Sequence, residues 1–134
     1  MPDDLLGALE FLRAAERLKA TYRSAWTSAG RRESSAEHTW RLCLMAMVLV
    51  PEFPDVDVAK LLKMCVVHDL GEAVGGDVPA PEQERRLAAD PAAGKSATER
   101  RDLASLVSPL PEARRAEILA LWDEYEAAAT PLGC

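Results

Sequence analysis

The sequence is poor in cysteine and in basic residues, and both shortages exclude classes of protein. Three cysteines, Cys43, Cys65 and Cys134, occur among 134 residues, too few for a paired disulfide framework, which favours a reducing, cytoplasmic location. Sixteen lysines and arginines face 22 aspartates and glutamates, for a net charge of −6. Because affinity for polymeric nucleic acid depends on cationic contacts with phosphate, this balance argues against a nucleic-acid-binding surface.

Long apolar segments are also missing. The longest apolar run, at residues 42–50, is roughly half the length that crosses a bilayer. The chain opens with Asp3 and Asp4 rather than with the basic residues of an export signal. We therefore expect neither a membrane segment nor an export signal.

Sustained two-residue alternation of apolar and polar side chains is lacking as well, so the sequence predicts an all-α fold. We expect a single domain over residues 1–134, built as a bundle of about five to six helices. The first helix is expected over residues 4–20. Its predicted inward stripe comprises Leu5, Leu9, Leu12, Ala15 and Leu18.

A polar segment and a capping signal mark the start of the second helix. Residues 27–35 are polar, contain Gly30 and are expected to form a loop. Ser34 followed by Glu37 is typical of a capping box, in which two side chains satisfy backbone N–H groups at a helix start. This places His38 in the first turn of the second helix, which must end near Pro51.

The third helix is expected over residues 58–70, capped by Asp55 or Asp57. It is apolar nearly all round, which predicts a central position. A polar helix near residues 81–89 comes next, followed by a helix from about residue 97 with Ser96 and Glu99 as a second capping box.

The last helix is expected to begin at Pro111. Its inward stripe is predicted to comprise Ile118, Leu121, Trp122 and Tyr125. We assign Trp40 and Trp122 to packing.

The chain has only two histidines, and their positions suggest chemistry. His68 and Asp69 end the apolar run of the third helix, where a carboxylate is costly to bury without a compensating cation. Glu72 shares their helix face if the turn through Gly71 stays helical. An imidazole and a carboxylate suit a borderline divalent metal, with His38 as a third ligand. Such an ion activates water, which indicates hydrolysis; a hydrogen-bonded histidine without metal is the ordinary alternative.

Two segments with their flanks carry a family resemblance. "ESSAEHTWRLCLMAM" and "KLLKMCVVHDLGEAVGGDVPAP" resemble the HD-domain metal-dependent phosphohydrolases, specifically their 5′-deoxynucleotidase-like branch. "RLKATYRSAW" and "LWDEYEAAAT" are similar to the same branch, so the resemblance covers residues 10–130. It implies an all-helical HD domain that releases phosphate from deoxyribonucleoside 5′-monophosphates, and it implies a homodimer.

The resemblance also implies a metal site. His38, His68 and Asp69 match the residues that bind one divalent transition metal in the family. Co, Mn, Zn, Fe and Ni are all compatible with these ligands.

Three further residues match substrate-binding or catalytic positions of the branch, and a fourth is a candidate for substrate binding. Glu72 matches an acid that positions or protonates groups during hydrolysis, and Asp77 matches an acid near the sugar or the catalytic water. Arg23 matches the arginine that faces the substrate phosphate, which suits a guanidinium fork. Trp26 is a candidate wall of the base or sugar pocket.

One part of the family pattern is missing. The family has a further metal-binding aspartate on a late helix, beyond the segment resembling "LWDEYEAAAT", and we expect the C-terminal part of the family domain to be absent from residues 1–134. Two alternatives to the nucleotidase therefore stay open: a catalytically impaired helical protein that acts as a dimer or partner-binding module, and a hydrolase of another phosphorylated metabolite. A two-metal oxygenase would need more histidine ligands than the chain contains.

Overall fold

The computed structural model describes residues 3–75 and 95–129, and this part of the chain confirms the all-α fold class. The α-helices are α1 (Asp3–Ala15), α2 (Ser35–Leu49), α3 (Val58–Val67), α4 (Glu72–Gly75), α5 (Lys95–Leu106) and α6 (Glu112–Ala129). Short 3-10 helices cover Glu16–Ala20 and Val50–Glu52, and two strands are β1 (Tyr22–Trp26) and β2 (Arg32–Ser34). Asp77 and the predicted helix near residues 81–89 lie outside the described residues.

The segment between α1 and α2 is a small antiparallel hairpin, where the sequence predicted only a loop. Tyr22 pairs with Ser34 and Trp26 with Arg32, with an irregular register between them. Gly30 forms the turn with a φ of 85°, a left-handed conformation that glycine adopts without steric cost. The hairpin was missed because five residues of β1 and three of β2 are too short for a clear alternation.

Side-chain caps fix the starts of two helices as predicted. Ser34 Oγ accepts a hydrogen bond from Glu37 N, and Glu37 Oε1 accepts one from Ser34 N, both over 3.2 Å. This is the expected capping box of α2. Asp57 Oδ1 accepts a hydrogen bond from Lys60 N over 3.2 Å at the start of α3.

The second predicted capping box is wrong. Helix α5 already includes Lys95, so Ser96 lies inside the helix instead of before it. Ser96 Oγ donates a hydrogen bond to Glu126 of α6 over 3.0 Å. Contact with a neighbouring helix therefore replaces the local cap that the spacing suggested.

The core forms where the two C-terminal helices meet the 3-10 helix after α1 and the residues that follow α3. Its buried members are Leu18, Val67, Leu70, Ala73, Leu103, Leu106, Val107, Leu110 and Trp122. Ile118 and Leu121 pack against this cluster, and Trp122 is only 3% exposed. The predicted inward stripe of the last helix and the packing of Trp122 are confirmed.

The predicted inward stripe of the first helix is only partly correct. Leu18 is buried and Ala15 packs against the core, as predicted. Leu5, Leu9 and Leu12 are exposed, however, and Ala8, Phe11 and Ala14 pack against the core instead. The reason is a close backbone approach, because the position that a side-chain carbon of Gly7 would occupy lies against Pro109 O. Small residues on one side let α1 approach closely, so the leucines turn outward.

Helix α3 is less central than its composition predicted. Cys65 and Val67 are buried, but Val58 and Val66 are exposed.

The packing assigned to Trp40 is also wrong, since this side chain on α2 is 67% exposed. The sequence shows which residues are apolar, but tertiary packing decides which face of a helix is buried.

Helix α3 ends at Val67, three residues before the predicted end. Residues 68–71 form a tight turn in which Leu70 N donates to Val67 O over 3.2 Å and Glu72 N donates to Asp69 O over 3.0 Å. Gly71 is buried here, and an added Cβ would lie 2.8 Å from Glu99 O of α5. The turn thus packs closely against α5.

Among the described residues, no helix combines the length and apolarity that crossing a membrane requires.

The Gly7 contact leads to a stability prediction. Gly7→Ala should lower the free energy of unfolding by about 1–3 kcal/mol, because the added methyl group overpacks the contact with Pro109. This is the opposite of the usual gain of ~1 kcal/mol for glycine to alanine in a helix. Urea denaturation measures the difference, with Glu10→Ala at an exposed site of the same helix as the control. A Gly7→Ala protein more stable than the wild type would contradict the close packing.

Candidate metal centre

Three potential metal ligands converge between α2 and the turn after α3. One ligand atom each from His38, His68 and Asp69 lies within 4.8 Å of the others. The rings of the two histidines have centroids 5.8 Å apart and are tilted by 59°. His68 is buried, and the other two side chains are half-buried, so the cluster lies at the edge of the core. The structure therefore brings together the three residues that the sequence predicted as ligands.

The hydrogen bond behind His68 fixes which nitrogen faces the cluster. Its Nδ1 lies 2.6 Å from Cys65 O, and a carbonyl oxygen can only accept, so Nδ1 carries the proton. The other nitrogen, Nε2, lies 2.9 Å from Asp69 Oδ2. In the neutral ring, Nε2 and the carboxylate both present lone pairs here, which requires a shared cation, either a proton or a metal ion. The donor set thus fits a divalent metal.

The surroundings of His68 act on its pKa in opposite directions. Burial lowers the pKa, but the hydrogen bond and the charge of Asp69 raise it, and the net result is a raised pKa. Trp122 Nε1 donates to His68 O over 3.2 Å, and the Tyr125 ring lies 5.2 Å from the His68 ring between centroids. The last helix therefore supports the turn that carries His68.

His38 is held near Arg23 and Glu33 of the hairpin. Burial lowers the pKa of His38, and the charge of Arg23 lowers it further, which favours the neutral imidazole that binds metals. Arg23 Nη1 lies 3.1 Å from His38 Nδ1 and donates to Glu33 Oε1 over 2.8 Å. Because a neutral imidazole has a single lone pair, His38 cannot accept from Arg23 and bind a metal at the same time.

Glu33 was missed by the sequence reasoning. Its carboxylate also lies 3.7 Å from His38 Nδ1, so it stands behind both His38 and Arg23. The pairing of β1 with β2 is the signal that could have revealed Glu33. The polar composition of this segment hid that pairing. Arg32 Nε reinforces this pairing by donating to Arg23 O over 3.1 Å.

The other predicted site residues differ in position. Glu72 is buried at the start of α4. Trp26 is 67% exposed at the end of β1, and its role in substrate binding stays a prediction. Asp77 lies outside the described residues.

This arrangement combines a cation site with a nearby guanidinium and a buried carboxylate. Two cationic centres close together favour a dianionic group such as a phosphate monoester. A carboxylate beside them can accept or donate a proton. The chemistry that these groups support together is hydrolysis of a phosphate ester.

Comparison with known proteins gives a consistent result. A family model described as the HD domain matches residues 15–133. The human 5'-deoxynucleotidase HDDC2 is 32% identical over 126 residues, covering 88% of this chain and 55% of its own length. The 5'-deoxynucleotidase hdd1 of Schizosaccharomyces pombe is 33% identical over 135 residues, covering 94% of this chain and 63% of its own length.

A solved structure from Magnetospirillum magnetotacticum, described as a predicted metal-dependent phosphohydrolase, superposes with a TM-score of 0.78 at 30% identity. The match covers 94% of this chain and 62% of that one. The chain thus spans between half and two thirds of the length of these relatives.

The support that Trp122 gives to the His68 turn leads to a second stability prediction. Trp122→Phe removes the donor to His68 O in a buried setting, and an unsatisfied acceptor costs about 1–3 kcal/mol. Trp26→Phe changes an exposed tryptophan of β1, outside the core, and serves as the control. Chemical denaturation in the absence of substrate should show a loss for Trp122→Phe and almost no change for Trp26→Phe. Equal effects would contradict the role given to this hydrogen bond.

Proposed function

The chain belongs to the HD domain family, and on that premise we propose that it is a metal-dependent phosphohydrolase acting on deoxyribonucleoside 5′-monophosphates. The observation that supports this most directly is the cluster of His38, His68 and Asp69, with Arg23 in contact with His38 and with the buried Glu72 four residues after His68. The names of the relatives support the choice of substrate.

In this proposal, His38, His68 and Asp69 hold one divalent transition metal, with Co, Mn, Zn, Fe and Ni as candidates. Such an ion, when bound, neutralises phosphate charge and promotes the deprotonation of water. The protein supplies the orientation of the ligands, because Cys65 O fixes the tautomer of His68 and the Glu33 carboxylate of the hairpin lies 3.7 Å from Nδ1 of His38.

Arg23 is the proposed phosphate-binding residue. Its guanidinium offers several donors in one plane and matches two phosphate oxygens. Glu33 holds one of its nitrogens over 2.8 Å, so the arginine is anchored while donors on the same group can turn toward the substrate. A small dianion needs only a few such contacts, which is compatible with the acidic net charge of the chain.

Water attacks the phosphorus atom, the bond between phosphorus and O5′ breaks, and the products are a deoxyribonucleoside and inorganic phosphate. Glu72 takes part as the residue that donates or accepts a proton, supported by its buried position four residues after His68 and by the effect of its charge, which raises the pKa of His68. We assign Asp77 to the sugar or the catalytic water and Trp26 to the base or sugar.

We further propose a cytoplasmic location and a homodimer. Cys43 and Cys65 are free thiols in the part of the chain that the structure describes, which supports a reducing compartment. Helix α2 has an outward stripe of exposed apolar side chains at helical spacing, namely Trp40, Leu44, Met47 and Val48. Tryptophan and methionine are enriched at protein interfaces, so this stripe is the proposed contact with a second copy.

The catalytic proposal can be tested by phosphate release. The purified chain loaded with Co²⁺ or Mn²⁺ should release phosphate from deoxyribonucleoside 5′-monophosphates. Glu72→Gln should slow the reaction at least about a hundredfold, as expected for loss of a general acid or base. Glu112→Gln, an exposed glutamate at the start of α6, is the matched control.

Isothermal titration of Co²⁺ separates binding from chemistry. Asp69→Asn should raise the Kd for Co²⁺ at least about tenfold, whereas Glu72→Gln should leave this Kd unchanged. Metal uptake without phosphate release would favour the catalytically impaired alternative, and release from other phosphorylated metabolites alone would favour the alternative substrate class.

The dimer proposal has its own test. In a homodimer, Val48→Lys places one lysine from each copy in the contact. The buried charges should convert the dimer to a monomer in sedimentation measurements. Leu9→Lys changes the exposed leucine face of α1 and should leave the dimer intact. A wild-type protein that is monomeric at all concentrations, or a dimer broken by Leu9→Lys alone, would contradict the proposed interface.

A further inference from the structure

A buried hydrogen bond joins the first residue of α2 to the first residue of α4. Ser35 Oγ donates to Glu72 Oε2 over 2.8 Å. Ser35 is completely buried and Glu72 is 4% exposed. Ser35 had no role in the sequence-based predictions, because it lies within a capping signal that its neighbour Ser34 already explains.

Ser35 is itself held in place on its other side. Its backbone N–H donates to Thr21 O over 2.7 Å, which ties the start of α2 to the end of the preceding 3-10 helix. His38 follows three residues later in the same helical turn. A single rigid turn therefore presents one of the proposed metal ligands and the donor to Glu72.

A hydrogen bond to one oxygen fixes how a carboxylate group is rotated, and thus where its second oxygen points. Bonds to a charged group are among the stronger ones in proteins, and burial strengthens them further. Proton transfer depends on such orientation, since a small misplacement of the acid or base reduces the rate strongly.

We infer that Ser35 is a positioning residue that orients the Glu72 carboxylate for the phosphate ester hydrolysis proposed above, on which this inference rests. It does not touch the substrate or the metal in this role. Its contribution should therefore appear in the rate of the chemical step and leave the binding of metal and nucleotide unchanged.

Ser35→Ala is the direct test. In the Co²⁺-loaded protein, kcat for phosphate release from a deoxyribonucleoside 5′-monophosphate should fall by about tenfold to a hundredfold. KM and the Kd for Co²⁺ should stay at the wild-type values. If circular dichroism shows that Ser35→Ala does not fold, Ser35→Cys keeps a similar volume with a weaker donor and is measured instead.

Ser34→Ala is a matched control, because it removes a neighbouring buried serine that caps α2 without contacting Glu72. It should lower thermal stability as loss of a helix cap does, with kcat unchanged. An equal fall of kcat in both serine variants would reveal a general structural effect and overturn the inference.

Comparison with Glu72→Gln separates this inference from the proposed function. If Glu72→Gln loses activity while the Ser35 variant keeps wild-type kcat, the positioning role is wrong and the proposed function stands. If Glu72→Gln and the wild type release phosphate equally, the role of Glu72 is wrong and the inference about Ser35 fails with it.

Discussion

The contact between the first turn of α2 and the turn after α3 is the constraint on which the candidate site depends. His38 comes from one side of this contact, and His68 and Asp69 come from the other, although 30 or so residues separate them along the chain. The buried bond between Ser35 and Glu72 crosses the same contact. If these two turns separated, neither the ligand cluster nor the orientation of the buried carboxylate would persist.

Burial determines which groups this contact can bind. His68 is placed at the edge of the core, where Cys65 O fixes its tautomer and Asp69 faces its second nitrogen. Two lone pairs facing each other in a poorly solvated place are unfavourable without a cation. The same packing that forms the core therefore favours a bound cation at this place, and the guanidinium of Arg23 lies 3.1 Å from Nδ1 of His38.

Local signals in the sequence predicted the parts of this structure that depend on neighbours along the chain. The capping box at Ser34 and the cap at Asp57 were predictable because a side chain bonds to backbone only three residues away. The metal cluster followed from residue chemistry and spacing, and its three members do converge. The packing of Trp122 and of the last helix could be predicted because the apolar stripe of this helix does contact the core.

Features that depend on distant contacts could not be predicted in this way. The leucines of α1 turned outward because Gly7 approaches Pro109, a residue that lies far along the chain. Trp40 is exposed because its face of α2 has no partner within the described part of the chain. Glu33 and Ser35 were missed since their partners, Arg23 and Glu72, are defined by a hairpin and a helix contact.

The most direct measurement is the anomalous scattering of crystals grown with Co²⁺. We expect one strong peak at about 2.0–2.2 Å from a ring nitrogen of His38, Nε2 of His68 and a carboxylate oxygen of Asp69, the distances usual for nitrogen and oxygen ligands of such ions. Cobalt bound elsewhere, with these three side chains uncoordinated, would contradict the proposed metal centre.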